Sequence, residues 1–203
     1  MISKISSEKI EKEHLGEAQF LSSFADVESM PQECSDVCFI GRSNSGKSTL
    51  LSALMKNSSL VKISKQPGST RTVNFFQKNN LYLVDLPGYG YAKTNFANRD
   101  ALSKIINDYL TKRENIKTAF LLLDCNRDIK ETEEYVVSIM KKRKIPLILI
   151  LTKIDRLNQR EMVKLKNKIK EFYSEMFFLT FAISGRDRKN ISELVNYIKS
   201  LGG

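Results

Sequence analysis

The chain has 203 residues, 41% hydrophobic and 28% charged, enough for one well-buried core and too few for two domains of ordinary size. Its net charge of +10 is lopsided: residues 1–140 hold 18 Lys or Arg against 17 Asp or Glu, whereas residues 141–203 hold 15 against 6. The first residues are charged where a secretory leader would be apolar, and the longest apolar stretch, Ile145 to Leu151, is too short to cross a bilayer, so a cytoplasmic protein without a membrane span is expected.

In chain order, residues 1–19 are expected as an N-terminal extension to a single domain whose core spans about 20–203. Val37 to Ile40 is apolar throughout, and Leu81 to Leu86, Ala119 to Leu123, Leu147 to Leu151 and Phe177 to Ile183 are nearly so. Strands of that kind are covered on both faces, which predicts a mainly parallel sheet between two layers of helices. Val73 to Lys78 is separated from Leu81 by Asn79 and Asn80 alone, a turn pair that makes it one antiparallel edge strand. Helices are predicted over Lys47 to Met55, about Asn98 to Lys112, Lys130 to Arg143, Gln159 to Glu175 and Ile191 to Leu201. In the fourth, Leu165, Ile169 and Phe172 form the inward stripe; the last takes Asn190 as N-cap with Glu193 three residues on. The expected fold is a doubly wound α/β domain with a six-stranded sheet, whose ligands bind at the carboxyl ends of the strands.

The motifs fall at those ends. Gly41, Arg42, Ser43, Asn44, Ser45, Gly46, Lys47 and Ser48 follow a strand and open a helix, the context a phosphate-binding loop requires. Its glycines let backbone N–H groups and the helix N-terminus face negative charge, with Lys47 reaching the β and γ phosphates and the Ser48 hydroxyl on Mg²⁺. Gln66-Pro67-Gly68-Ser69-Thr70-Arg71-Thr72 precedes the edge strand; a Thr hydroxyl there can bind Mg²⁺ and order the loop only when a γ phosphate is present. Asp85, Leu86, Pro87 and Gly88 follow the next strand, Asp85 holding the metal through water and the Gly88 N–H sensing the γ phosphate. Thr152, Lys153, Ile154 and Asp155 select the base: a carboxylate accepts two hydrogen bonds from guanine N1–H and its exocyclic amine, which adenine cannot offer, and the Lys stem covers the base plane.

Together GRSNSGKSTL, PGSTRTVNFF, VDLPGYGYAK and LTKID resemble the EngB (YsxC/YihA) family of bacterial GTP-binding proteins, among the translation-factor-related GTPases. The resemblance runs from about Phe20 to the C-terminus. It implies a single three-layer P-loop G domain, GTP and GDP as ligands, Mg²⁺ dependence, and a role in assembling the large ribosomal subunit with a requirement for normal cell division and septation; a monomer is expected. By motif position Ser48 and Thr70 are the direct Mg²⁺ ligands. The family's last guanine contact falls on Phe181, Ala182 and Ile183, with a register one residue later, onto Ser184, left open.

Tyr89 stands where many GTPases place the glutamine that orients water, so intrinsic hydrolysis is expected at or below about 10⁻³ per second. Related GTPases with Asn at the Asn44 position hold a K⁺ ion beside the transferring phosphate, where it offsets developing charge; a backbone turn is the plainer role for Asn44. The basic 141–203 region suits a polyanion such as rRNA, and equally a solvated helix face, in which case the protein would act in division through protein partners. An ATP-dependent small-molecule kinase would need a substrate lid that the sequence does not show. Cys34, Cys38, Cys125 and the one histidine, His14, have no zinc-ligand spacing, and the cysteines read as reduced thiols.

Overall fold

The structure, a computed structural model, describes residues 14–16, 18–55, 72–90 and 96–202, with the side chains of 96–103 outside that description. Its strands are β1 (Gln19–Phe24), β2 (Ser35–Gly41), β3 (Val73–Lys78), β4 (Leu81–Asp85), β5 (Ile116–Asp124), β6 (Leu147–Thr152) and β7 (Leu179–Ala182). They form one sheet of seven in the order β1-β3-β4-β2-β5-β6-β7, parallel from β4 onward.

The sequence predicts six strands and one antiparallel edge; among the described residues there are seven, and the antiparallel side is two strands deep. β3 pairs antiparallel with β4 across the Asn79 turn, and β1 then pairs antiparallel with β3 and takes the edge. β1 has no continuous apolar run because it is half-exposed, and its register slips between Phe20 and Ser22. Its Phe20 and Phe24 pack on Phe76 and Phe75 at 5.5 and 5.3 Å between ring centroids. The chain is packed before that strand: Leu15 is buried and its N–H donates to Leu54 O at 2.9 Å.

Helices α1 (Lys47–Leu54), α2 (Phe96–Lys112), α3 (Glu131–Arg143), α4 (Gln159–Lys168) and α5 (Ile191–Leu201) cover both faces. Alternation along β2 decides which residues meet which layer. Cys38 and Ile40 join the core with Tyr109 of α2, Met140 of α3 and Leu165 of α4, whereas Val37 and Phe39 join Leu51 of α1 and Leu194 of α5.

Two local features depart from the expected pattern. The stripe Leu165, Ile169, Phe172 breaks because α4 continues through a π turn, Ile169–Tyr173, into Ser174–Met176. The wider turn carries one extra residue, so Tyr173 takes the buried place at 3% exposure and Phe172 is left 60% exposed. Asn190 does stand at the N-cap of α5, but in the left-handed region at φ 61, and its side-chain amide donates to Ala182 O at 2.8 Å instead of capping the helix.

A buried ion pair fixes the C-terminal end of α2 to the start of β2. Arg113 Nε and Nη2 reach Asp36 Oδ2 and Oδ1 at 2.7 and 3.0 Å, Tyr109 donates to Oδ2 at 2.7 Å, and both charged side chains are buried. Arg143 of α3 adds donors to the Leu110 and Arg113 carbonyls at 2.6 and 2.7 Å.

Candidate active site

β2 delivers Gly41 to the carboxyl edge of the sheet, and the chain turns through Arg42 to Gly46 before α1 begins. Asn44 at φ 65 and Gly46 at φ 92 occupy the left-handed region, which folds the loop back over the first N–H groups of the helix. Thr152 ties this loop to the next motif by donating its hydroxyl to Ser45 O at 2.6 Å.

Asp85 ends β4 beside the loop, and Lys47 Nζ lies directly against its carboxylate. After Asp85 the chain runs along the phosphate loop: Tyr89 N–H donates to Gly41 O at 3.3 Å and Tyr89 O accepts from Ser43 N–H at 2.8 Å. The chain approaches the loop closely at Gly88, where a Cβ would lie 3.0 Å from Ser43 Oγ and 3.2 Å from Ser43 Cα, tighter than ordinary contact.

The Tyr89 side chain turns to α3. Its hydroxyl donates to Glu133 Oε1 at 2.8 Å, and Arg42 Nε and Nη2 reach Glu133 Oε1 and Oε2 at 2.7 and 3.2 Å. Lys130 N–H also donates to Glu133 Oε2, at 3.0 Å, at the start of α3. The Arg42 guanidinium lies 5.7 Å from the Tyr89 ring centroid. Burial alone would raise the Glu133 carboxyl, but hydrogen bonds from Arg42 and Tyr89 hold it below the ordinary value; burial and the same carboxylate push the Tyr89 phenol far up. Tyr89 is therefore neutral and already committed as a donor.

At the end of β6, Lys153 takes a left-handed φ of 63, which sends its side chain back over the phosphate loop. Its ammonium donates to Asn44 O at 2.7 Å and to Asp124 Oδ2 at 2.8 Å. Asp155 is exposed, and Ser184 donates its hydroxyl to Asp155 Oδ1 at 2.6 Å, a bond that holds the Asp155 carboxyl below its ordinary value. A cavity of about 160 Å³ opens beside it, lined by Gly46, Thr152, Lys153, Asp155, Gly185 and Arg186 among others.

That geometry bears on the expected last base contact and on the register left open at Ser184. Phe181 and Ala182 belong to β7, and the Ile183 N–H is spent on Leu151 O at 2.8 Å inside the sheet, so Ile183 offers the cavity only an apolar wall. In this segment Ile183, Gly185 and Arg186 line the cavity, and Ser184 between them meets Asp155 through its hydroxyl. Of the registers left open, the one that reaches Ser184 brings the segment to the residue that hydrogen-bonds Asp155.

Gly41 to Ser48, Thr72, Asp85 to Gly88 and Thr152 to Asp155 thus share one end of the sheet, while Gly68, Ser69, Thr70 and Arg71 lie outside the described residues. Sequence reasoning missed Glu133 and Asp124, whose only trace is a carboxylate in an ordinary first helical turn and another at a strand end. A separate cavity of about 560 Å³ lies between α2 and α3, lined by Tyr89, Ile106, Leu110, Glu131, Tyr135 and Val136 among others. Among the described residues no cluster of three metal-ligating side chains occurs, and all three cysteines are free thiols.

A strand, a glycine-turned loop closing on a helix with Lys47 at its first position, and an Asp beside it define a P-loop nucleotide-binding protein. The family described as "50S ribosome-binding GTPase" matches residues 36–153, and the "Elongation factor Tu GTP binding domain" matches 106–201. The chain is 37% identical to the probable GTP-binding protein EngB of Mycoplasma capricolum, over 92% of this chain and 97% of that one. It is also 37% identical to the probable EngB of Aquifex aeolicus, over 88% and 98%. A crystal structure of a probable GTP-binding protein engB superposes with a TM-score of 0.65 at 26% identity, covering 82% of this chain and 98% of that one. Aquifex aeolicus Era bound to GDP·AlF4⁻ shares the fold, with a TM-score of 0.63 at 22% identity over 84% and 57%. The chain belongs to the EngB family of GTP-binding proteins.

Proposed function

We propose that this GTPase is a Mg²⁺-dependent switch with slow intrinsic hydrolysis, acting as a cytoplasmic monomer and single G domain on the maturing large ribosomal subunit, and thereby needed for normal cell division and septation. The observation that carries the slow switch is Tyr89: the side chain after Gly88 is a phenol that donates to Glu133, where an amide would otherwise orient the attacking water.

The remaining roles follow from placement. Gly41 to Ser48 would cradle the phosphates, with Lys47 leaving Asp85 to meet the β and γ oxygens. A hard cation suits the oxygen donors at this edge, the Ser48 hydroxyl and the Asp85 carboxylate through water, with Thr70 completing the set. When bound, Mg²⁺ neutralises charge on the β and γ phosphates. Gly88 N–H would face the γ phosphate, while Lys153 covers the base, Asp155 accepts from guanine, and Ser184 holds that carboxylate in place. Gly185 N–H is the base donor that replaces the one expected from Ile183. Asn44 lends its side chain to a K⁺ ion in the hydrolytic state.

Support for the ribosomal partner lies in the 15 to 6 excess of basic residues over 141–203. Phosphate contacts make binding fall steeply with salt. The test is co-sedimentation with large ribosomal subunits from low to high salt, with a GTP analogue and with GDP. Binding in the analogue state that weakens as salt rises supports the reading. Salt-insensitive or absent binding would favour a division role exercised through protein partners. Thr70→Ala should leave GDP binding nearly unchanged and abolish the difference in protease sensitivity between the GDP and analogue states.

A further inference from the structure

The corner where α4 runs into β7 carries aromatic rings in water. The π turn sends Tyr173 inward and leaves Phe172 60% exposed; five residues after Tyr173, Phe178 is 71% exposed and Leu179 38%. The residues beside them, Tyr173 and Phe177, are buried and meet edge to face at 6.1 Å. A Phe side chain left in water forfeits roughly 1.5–3 kcal/mol of burial, and a π turn is a common mark of a functional segment.

The same corner is cationic. Lys164, Lys166 and Lys170 are exposed and make no ion pair among the described residues, whereas Lys168 is held by Asp128. Lys141 Nζ donates to Glu175 O at 3.4 Å, which brings the last turn of α3, with exposed Lys141, Lys142 and the following Lys144, to the border of the patch. Glu161, Glu171 and Glu175 are the acids of the stretch, outnumbered by these six lysines. Phe178 N–H donates to Leu147 O at 2.9 Å, so the corner lies at the amino ends of β6 and β7, opposite the edge that carries the nucleotide motifs.

We propose that this corner docks a single-stranded RNA segment, with Phe172 and Phe178 stacking on unpaired bases and the lysines of α3 and α4 holding the flanking phosphates; this rests on the ribosomal reading above. Aromatic rings set among unpaired cations are the chemistry of single-strand binding. A protein partner would instead favour a patch depleted of charge at its centre.

The two kinds of contact are separable by salt. Anisotropy of a labelled unstructured RNA 12-mer, titrated with full-length protein from low to high salt, is compared with a hairpin duplex of matched length. Phe172→Ala and Phe178→Ala should each weaken single-strand binding about fivefold to a hundredfold without changing the salt slope. Phe172→Leu, which keeps an apolar side chain but no aromatic face, should weaken it similarly. Lys164→Gln with Lys170→Gln should lower the slope itself, by about 0.7 for each phosphate the variant no longer reaches. GTP hydrolysis should stay at the parent value in all of them. Equal affinity for duplex and single strand, full binding by a double variant carrying both Phe172→Ala and Phe178→Ala, or a Phe effect confined to self-association in sedimentation velocity would each overturn the proposal. Large subunits retained by the double Phe variant with undiminished affinity would remove this surface and leave the ribosomal reading standing. Oligonucleotide binding by a parent that ignores large subunits would do the reverse.

Discussion

Around the phosphate loop the cations are paired across elements, and at the α4 to β7 corner most are not. Lys47 meets Asp85, Arg42 meets Glu133 and Lys153 meets Asp124, each pair joining two different elements. Along α4, Lys164 and Lys166 are exposed outside every ion pair among the described residues, as is Lys170 in the π turn. Paired charges fix geometry and resist salt because they are partly desolvated, whereas exposed unpaired ones set no local structure and remain available for long-range attraction. One charged sequence thus serves two purposes, and the pairing pattern separates them better than composition does.

The nucleotide edge should fail most strongly at Asp155. Asp155→Asn should lose GTP preference by about 10⁴ and gain xanthosine triphosphate, read by competition binding, since a site built for two donors rejects a base lacking them. Next comes the buried pair: Asp36→Ala leaves Arg113 uncompensated and should cost about 3–5 kcal/mol in urea unfolding, with guanine selectivity retained. A smaller loss, about 1.5 kcal/mol, is expected for Tyr89→Phe, which removes one hydrogen bond to a charged acceptor.

Glu133 gives a pH test of the same kind. Its folded value lies below the ordinary 4.5, so its contribution is complete above that value and is lost as pH falls through the lower folded one. Glu133→Gln should flatten the acid limb of the stability curve; equal acid limbs would show that the carboxylate is not held as described. The smallest effect is the monovalent cation: turnover several-fold faster in K⁺ than in Na⁺ at equal ionic strength, and equal rates in Asn44→Ala.

Much of the sheet was legible because buried parallel strands are apolar at nearly every position, as in Leu147 to Leu151. β1 was not, since QFLSSF is half-exposed and its pairing is carried by β3. Periodicity misplaces Phe172 because it assumes an unbroken 3.6-residue turn, and no residue in IKEFY announces a wider one. At the site, glycines and Lys47 were readable from spacing, since close approach and positive φ demand particular residue types. Glu133 and Asp124 were not, because they act across 91 and 29 residues on Arg42 and Lys153, distances that local pattern cannot span.

The clamp of Arg113 on Asp36 makes α2 a lever with one end pinned. Seventeen residues of helix are about 25 Å long, and the bonds from Arg143 to the Leu110 and Arg113 carbonyls hold the pinned end from a second side. A rigid displacement of this helix would then be a swing about that pivot, not a slide along the sheet. A tilt of about 5° about that pivot would carry the opposite end of the helix about 2 Å while the core beneath the pivot stays still.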